Sequence, residues 1–176
     1  MRARLGRDLF LPRATTSKDE REQALVPCRN ACPAGVDIPR FVRYLASGDF
    51  QSAIAVIREK LPFSFAPSYV CFHPCENECR RGTINNPIAI CQLKRFAADH
   101  DDGRWRTRQK RLPSTGKTVA VIGSGPAGLT VAFYLAKQGH AVTIYEALSE
   151  PGGMLRVGIP QYRYPRDLLE RDINEI

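Results

Sequence analysis

Six cysteines occur at positions 28, 32, 71, 75, 79 and 91 of a 176-residue chain, and the remaining three-fifths of the sequence has none. Cys71, Cys75 and Cys79 form a Cys-x3-Cys-x3-Cys run within "VCFHPCENECRRG". Structural zinc sites use four ligands, usually from two Cys-x2-Cys knuckles, and every close pair here is spaced Cys-x3-Cys. Disulfides belong to oxidising compartments, and the basic N-terminus "MRARLGRDLFLPRATTSKDE" lacks the apolar stretch of a secretory signal. A cytoplasmic location is therefore expected. Inert burial suits a single thiol such as Cys91, on an apolar helix face, but does not explain five thiols placed in loops. A [4Fe–4S] cluster does, because it needs soft ligands converging from a short run plus a remote residue. In "ACPAG", Cys32 is followed by the proline common in bacterial cluster motifs.

A second chemistry is written in "VAVIGSGPAGL". Gly123, Ser124, Gly125, Pro126, Ala127 and Gly128 make a G-x-G-x-x-G loop after an apolar β-branched run and before a helical pattern. Gly123 permits the tight turn, Gly125 lets backbone amides approach a pyrophosphate, and Gly128 allows helix and strand to pack. Glu146 ends the next apolar run, where a carboxylate can accept the ribose hydroxyls. An acid at that position disfavours a 2′-phosphate. The motif alone does not separate FAD from NAD.

These residues need elements to position them. "VDIPRFVRYLASGDF" predicts a helix capped by Asp37, with Pro39 in its first turn and Gly48 at its end. Asp49 caps a second helix, "FQSAIAVIREKL", closed by Pro62. "PFSFAPSY" reads as a loop, the cysteine run has room for one short helix, and "NPIAICQLKRFAADH" opens a third helix at Pro87. "KTVAVIG" and "AVTIYE" read as buried parallel strands flanking the helix "PAGLTVAFYLAKQGH", a βαβ unit. The fold class is therefore multidomain, an all-α iron–sulfur domain followed by the start of an α/β Rossmann-like domain. Residues 1–26 form an N-terminal extension, 27–100 the helical domain, 101–116 a basic linker and 117–176 the first, incomplete part of the α/β domain. The formal charge of +8 is densest in "RWRTRQKR", which reads as solvated linker rather than a nucleic-acid surface. No apolar run reaches the ~18 residues of a membrane span, so neither nucleic acid nor membrane insertion is expected.

The segment from Cys28 to the C-terminus resembles the glutamate synthase small-subunit family, whose relatives include dihydropyrimidine dehydrogenase and the flavin-bifurcating NADH-dependent ferredoxin:NADP oxidoreductases. Cysteine spacing, "IPRF", "CE" and "LKRFAAD" carry the likeness in order. The resemblance implies two clusters shared crosswise, with Cys32, Cys71 and Cys75 in one and Cys28 and Cys79 in the other. Two further family cysteines upstream of Cys28 are replaced here by "KDEREQALVP". One complete cluster is expected, with Cys91 near the place of its fourth ligand; a second would need carboxylate, glutamine or partner-supplied ligands. The stretch from Glu146 onward resembles the segment that wraps FAD in this family, with Gly152, Gly153 and Met154 at the pyrophosphate. NAD(P)H would bind to sequence absent from this chain, which reads as a fragment or half of a split protein. The implied activity is an FAD- and iron–sulfur-dependent NAD(P)H oxidoreductase subunit passing electrons to a larger oxidoreductase or synthase subunit, with no catalytic acid, base or nucleophile of its own. The alternative is a non-catalytic iron–sulfur adaptor that docks a partner oxidoreductase.

Overall fold

The computed structural model describes residues 26–108 and 111–176, so the expected N-terminal extension lies outside the described residues apart from Val26. Helices α1 (Pro27–Ala31), α2 (Ile38–Ala46), α3 (Phe50–Arg58), α4 (Ala66–Val70), α5 (Pro74–Asn77) and α6 (Ile90–Asp99) build the first unit, with 3-10 turns at Arg80–Thr83 and Arg104–Arg108. The second unit runs β1 (Thr118–Ile122), α7 (Pro126–Lys137), β2 (Ala141–Tyr145), α8 (Met154–Val157) and α9 (Arg166–Asn174).

Local chemistry sets the longer helices. Asp37 accepts the Arg40 N–H at 3.3 Å and Asp49 accepts that of Ser52 at 3.0 Å, each satisfying an orphan donor of the first turn. Their apolar faces meet in a core of Val36, Ile38, Phe41, Ile54, Ile57, Phe65, Ile90 and Ala97. Each large side chain buried there contributes about 1.5–3 kcal/mol. That secures α2, α3 and α6. By contrast α1, α4 and α5 have only five, five and four residues, too short to persist without tertiary support. All six cysteines lie in or beside α1, α4, α5 and α6.

The expected loop "PFSFAPSY" instead carries α4, and its support comes from far along the chain. The backbone N–H groups of Ser64, Phe65 and Ala66 donate to the Asp172 carboxylate at 2.8–3.2 Å, and the Tyr164 hydroxyl donates to it at 2.8 Å. Asp172 sits on α9 and is fully buried. Beside it, Arg58 is also fully buried and donates to Pro62 O at 2.6 Å and to Ser64 Oγ at 2.9 Å. Its guanidinium lies 4.1 Å from the Trp105 ring centroid and 3.6 Å from the Asp101 carboxylate. Burial pulls the Arg58 pKa down, and the carboxylates of Asp101 and Asp172 oppose that shift.

Three further expectations change here. Residues 101–116 are not wholly a solvated linker, because Arg104–Arg108 folds as a 3-10 turn that inserts Trp105, 2% exposed, against α3. Residues 109–110 of that segment lie outside the described residues. The third helix opens at Ile90 rather than Pro87. The strands pair in parallel, Thr118 with Ala141 through Ile122 with Tyr145, as expected. They are not buried on both faces: α7 covers one, while Ile122 and Tyr145 on the other are 82% and 57% exposed.

Removing the Asp172 carboxylate would leave three buried N–H groups and a buried hydroxyl without their acceptor. Asp172→Ala is expected to lower unfolding free energy by on the order of 3 kcal/mol. Asp167→Ala, on the exposed first turn of the same helix, should cost less than about 1 kcal/mol. Denaturant midpoints at constant slope check this, and equal losses in the two variants would refute the role given to Asp172.

Candidate iron–sulfur and dinucleotide sites

The short helices bring the cysteines into two groups. Helix α1 packs on α5, which sets Cys32 beside Cys75, and α5 and α4 both pack on α6, which carries Cys91. Burial pushes the Cys75 thiol up to about 11, with Cys32, Cys71 and Glu76 adding to the shift and Lys94 opposing it. Burial also raises Cys91, again opposed by Lys94, and Cys71 is its hydrogen-bonding neighbour. Cys28 belongs elsewhere. Its pKa is raised by burial and then by Cys79, against the lowering effect of the Arg29 N–H. So Cys32, Cys71, Cys75 and Cys91 share one pocket, and Cys28 and Cys79 face each other in a second. The family resemblance expects Cys32, Cys71 and Cys75 in one cluster, with Cys91 near the place of its fourth ligand, and Cys28 and Cys79 in the other.

The backbone is shaped around the sulfurs. Between Cys71 and Cys75, His73 adopts φ +43°, a left-handed conformation that costs a non-glycine residue of order 1–3 kcal/mol. It turns the chain back on itself and directs its own N–H to Cys71 Sγ at 3.3 Å. The Ile88 N–H donates to Cys79 Sγ at 3.4 Å, and Cys91 N–H donates to Glu76 Oε1 at 2.7 Å. Hydrogen bonds to sulfur favour thiolate and are a main tuning element of iron–sulfur sites. Raised thiol pKa values argue against nucleophilic cysteine chemistry, which needs lowered ones. Soft donors in a desolvated pocket with amides aimed at sulfur suit a cluster whose positive irons compensate the ionised ligands. Among the described residues no three His, Cys, Asp or Glu side chains converge on a single ion. A cube spreads its thiolates across its own width, so divergence of the sulfurs is compatible with it.

Within the glycine loop each residue does a different job. Gly123, at φ +92°, makes the turn out of β1. A methyl group at Gly128 would lie 2.0 Å from Gly123 O, so the close strand–helix approach admits no side chain. At Gly125, by contrast, a Cβ would meet nothing within 4 Å, and no side chain caps the start of α7. That leaves the helix N-terminus free for an anion, with Pro126 and Ala127 exposed beside it. Ser124 is buried. Its hydroxyl donates to Glu146 and accepts the Gly152 N–H at 3.2 Å, while its carbonyl accepts the same N–H at 3.1 Å. Glu146 also accepts the Leu148 N–H at 2.8 Å and the Ser124 N–H at 2.8 Å, and these hold its carboxyl down to about 2. Gly152 and Gly153 have φ of +120° and +48°, and a Cβ on Gly153 would lie 2.7 Å from the Gly125 Cα. The second glycine pair therefore seats directly on the first loop. Met154 begins α8 and is 65% exposed.

Sequence reading missed three contributors. Lys94 enters the thiol pocket from α6, and its place one turn after Cys91 was the available sign. Glu76 was visible only as part of "CE". Asp172 gave no sign, because the backbone groups it holds are over a hundred residues away.

Comparison with known proteins agrees with this division. Residues 22–105 match the family described as dihydropyrimidine dehydrogenase domain II, 4Fe-4S cluster, and residues 121–164 match the NAD(P)-binding Rossmann-like domain. The chain is 41% identical to the NADP(+)-dependent formate dehydrogenase subunit beta of Moorella thermoacetica, over 85% of this chain and 24% of the relative. It is 43% identical to the NADPH-Fe(3+) oxidoreductase subunit beta of Geobacter sulfurreducens, over 85% of this chain and 23% of the relative. Against the NAD-dependent dihydropyrimidine dehydrogenase subunit PreT of Escherichia coli it is 38% identical, over 85% of this chain and 37% of the relative. The chain thus spans roughly a quarter to just over a third of these relatives. Among the described residues no helix is long and apolar enough to cross a membrane. The helical unit matches the dihydropyrimidine dehydrogenase domain II, 4Fe-4S cluster family, and it leads directly into the match to a NAD(P)-binding Rossmann-like domain.

Proposed function

We propose that this chain is the cluster-bearing, electron-transfer part of an FAD- and iron–sulfur-dependent NAD(P)H oxidoreductase subunit that serves a larger partner subunit. The observation that carries the reading is the four-thiol pocket of Cys32, Cys71, Cys75 and Cys91, in one folded body with an uncapped glycine loop. When bound, a flavin and a [4Fe–4S] cluster supply the exchange between two-electron and one-electron carriers, so the protein needs no acid, base or nucleophile. Cys32, Cys71, Cys75 and Cys91 hold the cluster. Cys28 and Cys79 are left as half of a second site. Gly125, Ala127 and Gly128 offer backbone to the FAD pyrophosphate, Glu146 faces the ribose, and Gly153 keeps the loop's far side closed. A nicotinamide as electron donor is in keeping with the names of the longer relatives. In its modular order the subunit is glutamate synthase-like. Six free cysteines suit the reducing cytoplasm.

Two outcomes follow. Protein purified anaerobically should contain about four irons per chain, the content of one cube. Cys71→Ser or Cys75→Ser should remove most of it, whereas Cys28→Ser should not. Zinc in place of iron, or iron lost with Cys28→Ser but kept with Cys71→Ser, would overturn the assignment. In the full-length protein Gly125→Ala should weaken FAD binding at least tenfold, about 1.4 kcal/mol, with stability unchanged. Gly128→Ala should instead destabilise the fold, through its clash with Gly123 O. FAD titration and thermal melts separate the two effects, and unchanged affinity in Gly125→Ala would remove the loop from the flavin site.

A further inference from the structure

Two cations are buried among the described residues, Arg58 and Lys94. Arg58 has its charge answered by Asp101 and its two terminal nitrogens by Pro62 and Ser64, while its Nε is left without a partner among them. Lys94, 9% exposed, is different. None of the ion pairs among the described residues uses it. It stands three residues after Cys91 on α6, so both project from one helix face towards α4 and α5, the helices that flank Cys71 and Cys75. Its stem is buried while the ammonium keeps some contact with solvent, so it carries its charge beside the thiols without an ion-pair partner among the described residues. The groups that feel its charge are the thiols: it draws down both Cys75 and Cys91 against their burial. Glu76 faces the same two thiols with the opposite effect, while its carboxylate accepts the Cys91 N–H and lies 3.4 Å from His73 Nδ1.

We propose that Lys94 is the protein's counter-charge to a cluster in the Cys32–Cys71–Cys75–Cys91 pocket and raises its reduction potential. The inference rests on the iron–sulfur reading of that pocket. Reduction there adds one electron, from a reduced flavin or nicotinamide in function and from dithionite in a titration. No ligand bond breaks, and the added charge is negative. A nearby ammonium attracts the more negative, reduced form more strongly than the oxidised form, and the partial burial of the thiols weakens solvent screening of that difference. Glu76 works in the other direction, so the two side chains set the potential between them. Lys94 is a positioning charge rather than a catalytic residue.

Anaerobic potentiometric titration of the whole protein, followed by the electron paramagnetic resonance of the reduced cluster, tests this. Lys94→Gln and Lys94→Met should bind iron as the wild type does. Their midpoint potentials should fall by the equivalent of a tenfold or greater change in the reduction equilibrium, about 59 mV for one electron. Lys94→Arg keeps the charge and should shift by much less. Neutral variants that titrate at the wild-type potential would overturn the proposal. So would a fall in Lys94→Arg as large as that in Lys94→Met, since packing would then be the cause. Loss of iron from the neutral variants alone would also overturn it, showing that Lys94 serves assembly and not potential. Wild-type protein without iron is a separate failure, that of the cluster reading itself.

Discussion

One carboxylate organises this molecule. Asp172 takes three backbone N–H groups at the start of α4 and the hydroxyl of Tyr164, and it does so fully buried. A buried carboxylate is tolerated only when its lone pairs are filled, and here five donors fill them, the Ser64 hydroxyl at 3.4 Å being the fifth. The cost to Tyr164 shows in its own ionisation, which burial and the Asp172 charge push well above the ordinary range. Helix α4 is a single turn with no side-chain cap of its own, and it ends at Cys71. A residue on α9, beyond the glycine pair, therefore fixes where the cysteine run begins. Arg171 over the Phe65 ring, 4.5 Å from its centroid, reinforces the same junction. The thiol pocket and the nucleotide loop are parts of one packed structure, so distortion of one reaches the other.

Short helices around the sulfurs follow from what a cluster site requires. Long helices space their side chains too regularly to turn several thiols towards one point, whereas one-turn helices joined by tight bends can. They are also unstable by themselves. In this chain the bends are supplied by Pro27, Pro67 and Pro74 at helix starts and by the left-handed His73. Stability is lent by the α2–α3–α6 core on one side and by Asp172 on the other. Lys94 on α6 offsets the cost of ionised thiols only in part, since burial still raises Cys75 and Cys91, and Cys28 with them. Metal ligation and the final ordering of this region are thus expected to be coupled, as they are wherever a site is completed only by its metal.

Features governed by neighbours in sequence were legible without coordinates. Asp37 and Asp49 cap the helices they precede, β1 and β2 pair in parallel, and the cysteine spacing points to iron–sulfur chemistry in a region that matches a 4Fe-4S family. Features that depend on distant partners were not. "PFSFAPSY" reads as a loop because its helix is capped from Asp172, and "RWRTRQKR" reads as solvated because its charge hides a Trp105 that needs Arg58 to lie upon. Strand composition promised two buried faces, yet the face of Ile122 and Tyr145 has no covering element among the described residues. Apolar pattern reports what a surface can bury, not what arrives to bury it.

The glycines make the same point within a single motif. Sequence already separates them, Gly123 for the turn, Gly125 for the approach of a pyrophosphate and Gly128 for strand–helix packing, and sterics shows what surrounds each. Gly128 is glycine because Gly123 O occupies the place of a side chain, and Gly153 because the Gly125 Cα does. Gly139 has the same reason in Pro113 O, 2.1 Å from where its Cβ would stand. Gly123 and Gly125 both face open space where a side chain would point, but Gly123 needs its left-handed φ of +92° whereas Gly125 does not, so at Gly125 the absence of a side chain suits an incoming group rather than the protein's own backbone. Ser124, one residue earlier, turns inward to hold Glu146 and Gly152, which fixes the carboxylate and the second glycine pair relative to that opening. The loop is thus rigid on its inner side and vacant on its outer side, the arrangement a pre-formed phosphate cradle requires.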